Sequence, residues 1–168
     1  MNRATYEKMT QPFRDHPEMA WVLHKTNSIF TGIFYVLYPL LLLGLFCAES
    51  DSLIKTLMIP SAGFLLVSGL RLLVNRPRPY ERFGLSPVIP KDTKGRSFPS
   101  RHVFSAAIIA AAFFVQQEPW LIGTGAALFV CALVLGALRV IAGVHYVSDV
   151  AAALVCAGIG LATFYIWP

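Results

Sequence analysis

Arg139-Val-Ile-Ala-Gly-Val-His145-Tyr-Val-Ser-Asp149 joins two apolar runs, Trp120–Leu138 and Val147–Trp167, each long enough to cross a bilayer. Three ionisable side chains therefore stand where one membrane segment ends and the next begins. Charge at such a place is expensive and marks function by default. His145 and Asp149 are four residues apart, so on a helix they share a face. The carboxylate can then hold one imidazole nitrogen and leave the other free to attack or to ligate. Arg139 adds a fixed, forked cation suited to phosphate oxygens. An Arg, an oriented His and a hydrocarbon setting point to phosphoryl chemistry on a lipid.

Working outward, the chain reads as further apolar spans. Ser28–Ala48 carries no charge, and a short polar turn to Ser52 leads into Leu53–Val74. Lys55 can snorkel to the interface, and Pro60 should kink that second span. Ser100–Val115 and the two runs already quoted complete five spans, with Gln116–Pro119 as a tight turn. Before them, residues 1–27 mix charges with Tyr6, Met9, Phe13, Met19, Trp21 and Leu23, and read as an interfacial amphipathic segment. Pro12 and Pro17 should break it into pieces. His16 and His24 lie there without a partner pattern and receive no role. The expectation is an all-α, multi-pass transmembrane bundle over residues 28–168, preceded by this N-terminal segment.

Composition agrees. The 168 residues are 56% hydrophobic and only 14% charged, against about 25% charged in an ordinary soluble domain. Net charge is +5, but the cations cluster beside apolar segments rather than on a solvated face. That favours anionic lipids or phosphates as partners and speaks against nucleic acid. Cys47, Cys131 and Cys156 fall within apolar runs and read as small hydrophobes, not as a disulfide framework or metal site. No cleavable signal peptide is expected, because the first 25 residues hold Glu7, Asp15 and Glu18 and no unbroken apolar core.

Spans two and three meet on one side of the bilayer, and spans four and five meet on that side too. Arg71, Arg78, Ser100, Arg101, His102, Arg139, His145 and Asp149 consequently share one membrane face. Between them runs the one long polar loop, Asn75–Pro99, with six cations; loops of this length usually carry function. Arg101 and His102 open a helix, where backbone N–H groups form a ready anion site. Several Arg and two His match a phosphate monoester or diphosphate, with Arg forks on the oxygens where transition-state charge spreads. One His can attack phosphorus while the other protonates the leaving alkoxide. A two-metal hydrolase is disfavoured, since Asp149 is the only carboxylate at the central junction. A zinc site of His102, His145 and Asp149 is the alternative, opposed by the surrounding Arg charge.

Arg71-x6-Arg78-Pro79, Pro99-Ser100-Arg101-His102 and Arg139-x5-His145-x3-Asp149 resemble the three-part signature of the type 2 phosphatidic acid phosphatase superfamily. That signature is written K-x6-R-P, P-S-G-H and S-R-x5-H-x3-D. The resemblance covers Arg71 to the C-terminus. It implies the helical core shared with vanadate-dependent haloperoxidases and a membrane phosphatase acting on a lipid phosphate or diphosphate, with no metal or other cofactor. His145 would be the nucleophile, passing through a phosphohistidine, with Asp149 orienting it and His102 protonating the leaving oxygen. Arg71, Arg78 and Arg139, with Ser100 and the N–H of Arg101, would cradle the phosphate. Arg76 offers a competing register for the first part and is assigned a supporting contact to phosphate. Three positions depart from the signature: Arg71 stands for Lys, Leu138 for Ser, and Arg101 for Gly, whose side chain is expected to reach a second phosphate or the headgroup. The alternatives are a haloperoxidase, which five apolar spans oppose, and a non-catalytic lipid-phosphate binder or transporter, which would need only the cations.

Orientation is pulled two ways. Setting aside Arg71, Arg78, Arg101 and Arg139, nine of the ten remaining Lys and Arg fall on the site's side, with Lys55 alone opposite. The positive-inside rule puts that side in the cytoplasm, whereas many bacterial members of the resembled family face outward.

Overall fold

The computed structural model describes residues 2–91 and 93–167; Met1 and Pro168, the outermost residues of the two expected segments, lie outside the described residues. The helices are α1 (Arg3–Asp15), α2 (Pro17–Cys47), α3 (Ser52–Val74), α4 (Pro79–Phe83), α5 (Arg101–Phe114), α6 (Pro119–Ile141) and α7 (Val147–Ile166). Among the described residues there is no strand. Pro17, Pro79 and Pro119 each sit in the first turn of a helix, where a missing N–H costs nothing and the fixed φ is already helical. Asn75 and Gly84 close α3 and α4 in the left-handed conformation.

Among the described residues, four stretches have the length and hydropathy to cross a membrane: Pro17–Cys47, Ser52–Phe83, Pro119–Ile141 and Val147–Ile166. Their outward apolar side chains are bare, Leu73 at 85% exposure being the extreme. That is the surface a hydrocarbon solvent takes. The expected third span is the shorter α5, 14 residues long, rising about 21 Å against the roughly 30 Å of a bilayer core. It can be short because it is the central post, packed on α2, α3, α6 and α7. Ala106, Ala107, Ala110, Ala111 and Ala112 are all buried and let neighbouring backbones close in. On α6, a Cβ at Gly125 would run into the backbone of Ala110 and Phe114.

The N-terminal segment differs from expectation. Pro12 lies inside α1 without breaking it; its ring removes one hydrogen bond near the helix end. Pro17 does break the chain, because the residue before a proline is pushed out of the helical region, and His16 is extended at φ −126°, ψ 92°. From Pro17 the helix continues without interruption past position 28, so the interfacial stretch and the first span form one rod. The polar loop is not wholly irregular, since it contains the short α4.

A second, smaller core gathers at the end of the bundle that holds the long loop. Tyr6, Leu23, Tyr80, Ile89, Ala142 and Val144 are buried together there. It fixes α1 over the turn between α6 and α7: the Tyr6 hydroxyl reaches the Gly143 carbonyl at 3.5 Å, and Arg14 donates to the Ser86 carbonyl at 2.8 Å. Gly143 is required to be glycine, since its φ is +72° and a Cβ would penetrate the Tyr6 ring.

Candidate active site

Each expected residue is delivered by the end of an element. Arg71 closes α3, Arg78 precedes α4, Arg101 and His102 begin α5, Arg139 ends α6, and Asp149 lies in the first turn of α7. His145 sits in the tight turn before α7, whose reversal is made by Gly143. Arg71, Arg78, Lys91, Thr93, Arg101, His102, Arg139 and His145 line one small cavity of about 60 Å³. The structure thus unites six of the eight expected residues around a common space. Asp149 stands behind His145, and Ser100 precedes α5 without lining the cavity itself.

The cations are aimed by backbone carbonyls. Arg71 Nη1 donates to the Pro99 carbonyl at 2.6 Å. Arg78 donates from Nε to Gly95 at 3.1 Å and from Nη1 to Val144 at 3.0 Å. Neutral acceptors fix the geometry without cancelling the charge, so both guanidinium groups keep their attraction for an anion. Arg139 is buried, and its Nε lacks a protein partner among the described residues, as does the Ser100 hydroxyl. An unmet donor buried at a functional site is one a ligand can meet. Gly95 and the loop around it are held in turn by Glu81, whose carboxylate accepts from the N–H groups of Gly95 (2.8 Å) and Arg78 (3.3 Å).

Asp149 is fully buried and is saturated with donors. Its Oδ2 faces His145 Nδ1 at 3.3 Å, accepts the Tyr146 N–H at 2.9 Å, and accepts the Ser97 hydroxyl. Its Oδ1 accepts Arg76 Nη1 at 2.8 Å. Asp149 therefore caps α7 and orients His145 with the same carboxylate. His145 is pushed down to about 4, chiefly by burial and further by Arg78 and Arg139, while the Asp149 hydrogen bond and charge oppose the shift. Its imidazole is neutral at physiological pH. The Lys91 ammonium is also lowered, by burial first and then by Arg78, Arg139, Arg71 and Arg101.

Arg76 is a correction. It does not line the cavity but pairs with Asp149 on the far side of the carboxylate. Lys91, Thr93 and Ser97 were missed in the sequence. They lie on an irregular loop with no periodicity, and its folding alone brings them to the site; the one available signal was the loop's excess of cations. The zinc alternative is not assembled, since among the described residues no three His, Cys, Asp or Glu are grouped to hold a metal.

Beside the small cavity lies a larger apolar groove of about 330 Å³, lined by Phe34, Tyr35 and Tyr38 of α2, Phe64 of α3 and Ile109 of α5. Arg101 and His102 line both spaces. Arg101 is exposed, with its guanidinium carbon 5.1 Å from the Phe64 ring centre. The arrangement offers an anion pocket at the foot of an apolar channel.

The PAP2 superfamily model matches residues 52–168, and the chain belongs to that family. Among solved structures, LpxE of Aquifex aeolicus is 25% identical, with a TM-score of 0.72 over 99% of this chain and 95% of that one. A transmembrane PAP2-type phosphatidylglycerolphosphate phosphatase from Bacillus subtilis is 23% identical, with a TM-score of 0.69 over 98% of this chain and 83% of that one, which speaks for the fold. No curated protein matches by sequence.

Proposed function

We propose, with membership of the PAP2 superfamily as the premise, that this multi-pass membrane protein is a phosphatase hydrolysing a lipid phosphate monoester or diphosphate through a phosphohistidine. The substrates in view are phosphatidylglycerophosphate, phosphatidic acid and a polyprenyl diphosphate. The observation that carries the reading is the shared wall of the two spaces: a cation-lined pocket containing His145 opens beside an apolar groove at Arg101 and His102. A phosphate headgroup and its hydrocarbon chain would occupy one each.

In this mechanism, Asp149 holds Nδ1 of His145, and Nε2 attacks phosphorus. An N–P bond forms as the P–O bond to the lipid breaks, and the leaving alkoxide takes a proton from His102. Water then attacks the phosphohistidine with His102 accepting its proton; the N–P bond breaks and inorganic phosphate leaves. Arg71, Arg78 and Arg139, with Ser100 and the N–H of Arg101, stabilise the charge on the transferred group. A binder or transporter would need only the cations, whereas the Asp149–His145 pair serves a reaction.

The test is an assay of purified protein in detergent against lipid monophosphates and diphosphates. Turnover is expected to persist in EDTA and to be inhibited by vanadate. Loss of turnover in EDTA with recovery on adding zinc or magnesium would overturn the mechanism. The cation bias supports a cytoplasm-facing site, and α1, with its own cations, is docked at that end. Single cysteines introduced into the Asn75–Pro99 loop of a Cys47→Ser protein should resist an impermeant thiol reagent on intact cells. Ready labelling would place the site outside.

A further inference from the structure

We propose that Arg76 is a positioning residue: together with Ser97 it clamps Asp149 from behind and holds the first turn of α7 in the attitude that presents His145 to phosphate. The inference rests on the reading of His145 as nucleophile and concerns a residue that touches neither the cavity nor the reacting atoms.

A fully buried carboxylate is costly unless paired and hydrogen-bonded. The cations that line the cavity with His145 are Arg71, Arg78, Lys91, Arg101 and Arg139; neither Arg76 nor Asp149 lines it. Arg76 is the cation in an ion pair with Asp149, at 2.8 Å. Its Nη1 also donates to the Ser148 hydroxyl at 2.7 Å, and its guanidinium lies over the Tyr146 ring, 4.0 Å from the centre. One side chain therefore grips Tyr146, Ser148 and Asp149, three of the four residues that follow His145. Ser97 closes the clamp: its hydroxyl donates to Oδ2 of Asp149, and its N–H donates to the Arg76 carbonyl at 2.9 Å. The long loop is thereby tied to the carboxylate at both oxygens.

Two consequences separate positioning from phosphate binding. First, a clamp acts on His145 and not on the substrate, so its loss should lower kcat with little change in KM. Second, Arg76 draws off part of the negative charge that Asp149 offers the imidazole. His145 faces Arg71, Arg78, Lys91, Arg101, His102 and Arg139 across the cavity, and Asp149 with Arg76 behind it. Removing the rear cation leaves Asp149 less neutralised and makes imidazolium easier to form.

The experiment compares Arg76→Gln, Arg76→Lys and Ser97→Ala with the parent protein in detergent. It measures kcat and KM on a lipid phosphate, and follows the His145 ring by NMR of protein with isotope-labelled histidine. In the parent, His145 should titrate near pH 4. Arg76→Gln should lower kcat roughly tenfold to a hundredfold, by analogy with the partners that orient metal-binding side chains, with KM within about twofold. Its His145 midpoint should rise by about one pH unit. Arg76→Lys, which keeps the charge, should return the midpoint towards the parent value, and Ser97→Ala should lower kcat in the same sense. A tenfold rise in KM at constant kcat would make Arg76 a phosphate ligand and overturn the proposal. An unchanged midpoint and kcat in both Arg76→Gln and Ser97→Ala would overturn it as well. The titration needs no turnover, so an inactive parent protein would refute the phosphatase reading while leaving the clamp to be judged by the midpoint alone.

Discussion

The two ends of the bundle each bury a polar cluster, and the two clusters are built on opposite principles. At the end away from the cavity, Gln116 is buried between α3 and α5. Its Nε2 donates to the Ala112 carbonyl at 2.8 Å and the Thr56 hydroxyl at 3.2 Å, and its Oε1 accepts the Ser52 hydroxyl at 3.0 Å. Every group there is neutral, and donors and acceptors answer one another. At the other end the cluster is cationic, Arg71 and Arg78 are steered by carbonyls, and among the described residues Arg139 Nε and the Ser100 hydroxyl are left unmet. A closed cluster holds helices in register; an open, charged one keeps donors free to meet an anion. Burial of polar groups does not by itself mark a site, nor does a lone unanswered hydroxyl such as that of Ser68 on α3; at this end the unanswered donors stand among a cluster of cations.

That contrast can be broken most forcefully at His145. His145→Ala should abolish turnover of every lipid phosphate, by about 10⁴-fold or more by analogy with removing a protease nucleophile, because His145 is the imidazole that Asp149 holds in place. Thermal stability should change little by comparison, and surviving turnover would remove His145 from its role. Asp149→Asn should follow, with kcat down by roughly two to four orders of magnitude as the imidazole loses its orienting carboxylate. His102→Ala sharpens the contrast within the site. It should cost about 10²- to 10⁴-fold on an alkyl phosphate and much less on a nitrophenyl phosphate, whose leaving group needs no proton. Equal damage to both substrates would deny His102 the part of acid. The smallest effect on activity belongs to the opposite end. Gln116→Leu takes the side-chain partner from the fully buried Thr56 hydroxyl and should cost about 1–3 kcal/mol of stability, lowering Tm, while kcat/KM per folded molecule stays within about twofold. A comparable loss of turnover there would show that the two clusters do not divide structure from chemistry.

What could be read in the sequence follows from how local each relation is. His145 and Asp149 meet although His145 stands in the turn before α7 and not on the helix: Asp149, in the first turn of α7, reaches back to it, so nearness in sequence was enough to pair them. Arg71, Arg101, His102 and Arg139 could be gathered because alternate span ends share a membrane face, whatever the packing between spans. Arg76 could not be placed this way. Arg76 and Arg78 are two apart in the loop, and only its folding decides that Arg78 lines the cavity while Arg76 meets the carboxylate of Asp149. Lys91 and Ser97 were hidden for the same reason. Pro12 misled in the other direction: a proline one turn from a helix end costs one hydrogen bond, and packing of Tyr6 and Phe13 against the second core outweighs it. The roles of these residues in chemistry rest on the mechanism proposed, not on their positions.

The most direct test of that mechanism is to trap the intermediate. Purified protein would be mixed with a lipid phosphate radiolabelled at phosphorus, quenched within milliseconds, and digested for peptide mapping. The label should be found on the peptide containing His145, stable in alkali and lost in acid as a phosphoramidate is, and absent from His145→Ala. A parent protein that turns over substrate without ever acquiring label, or that carries it on a carboxylate or hydroxyl, would contradict the assignment of His145 as nucleophile.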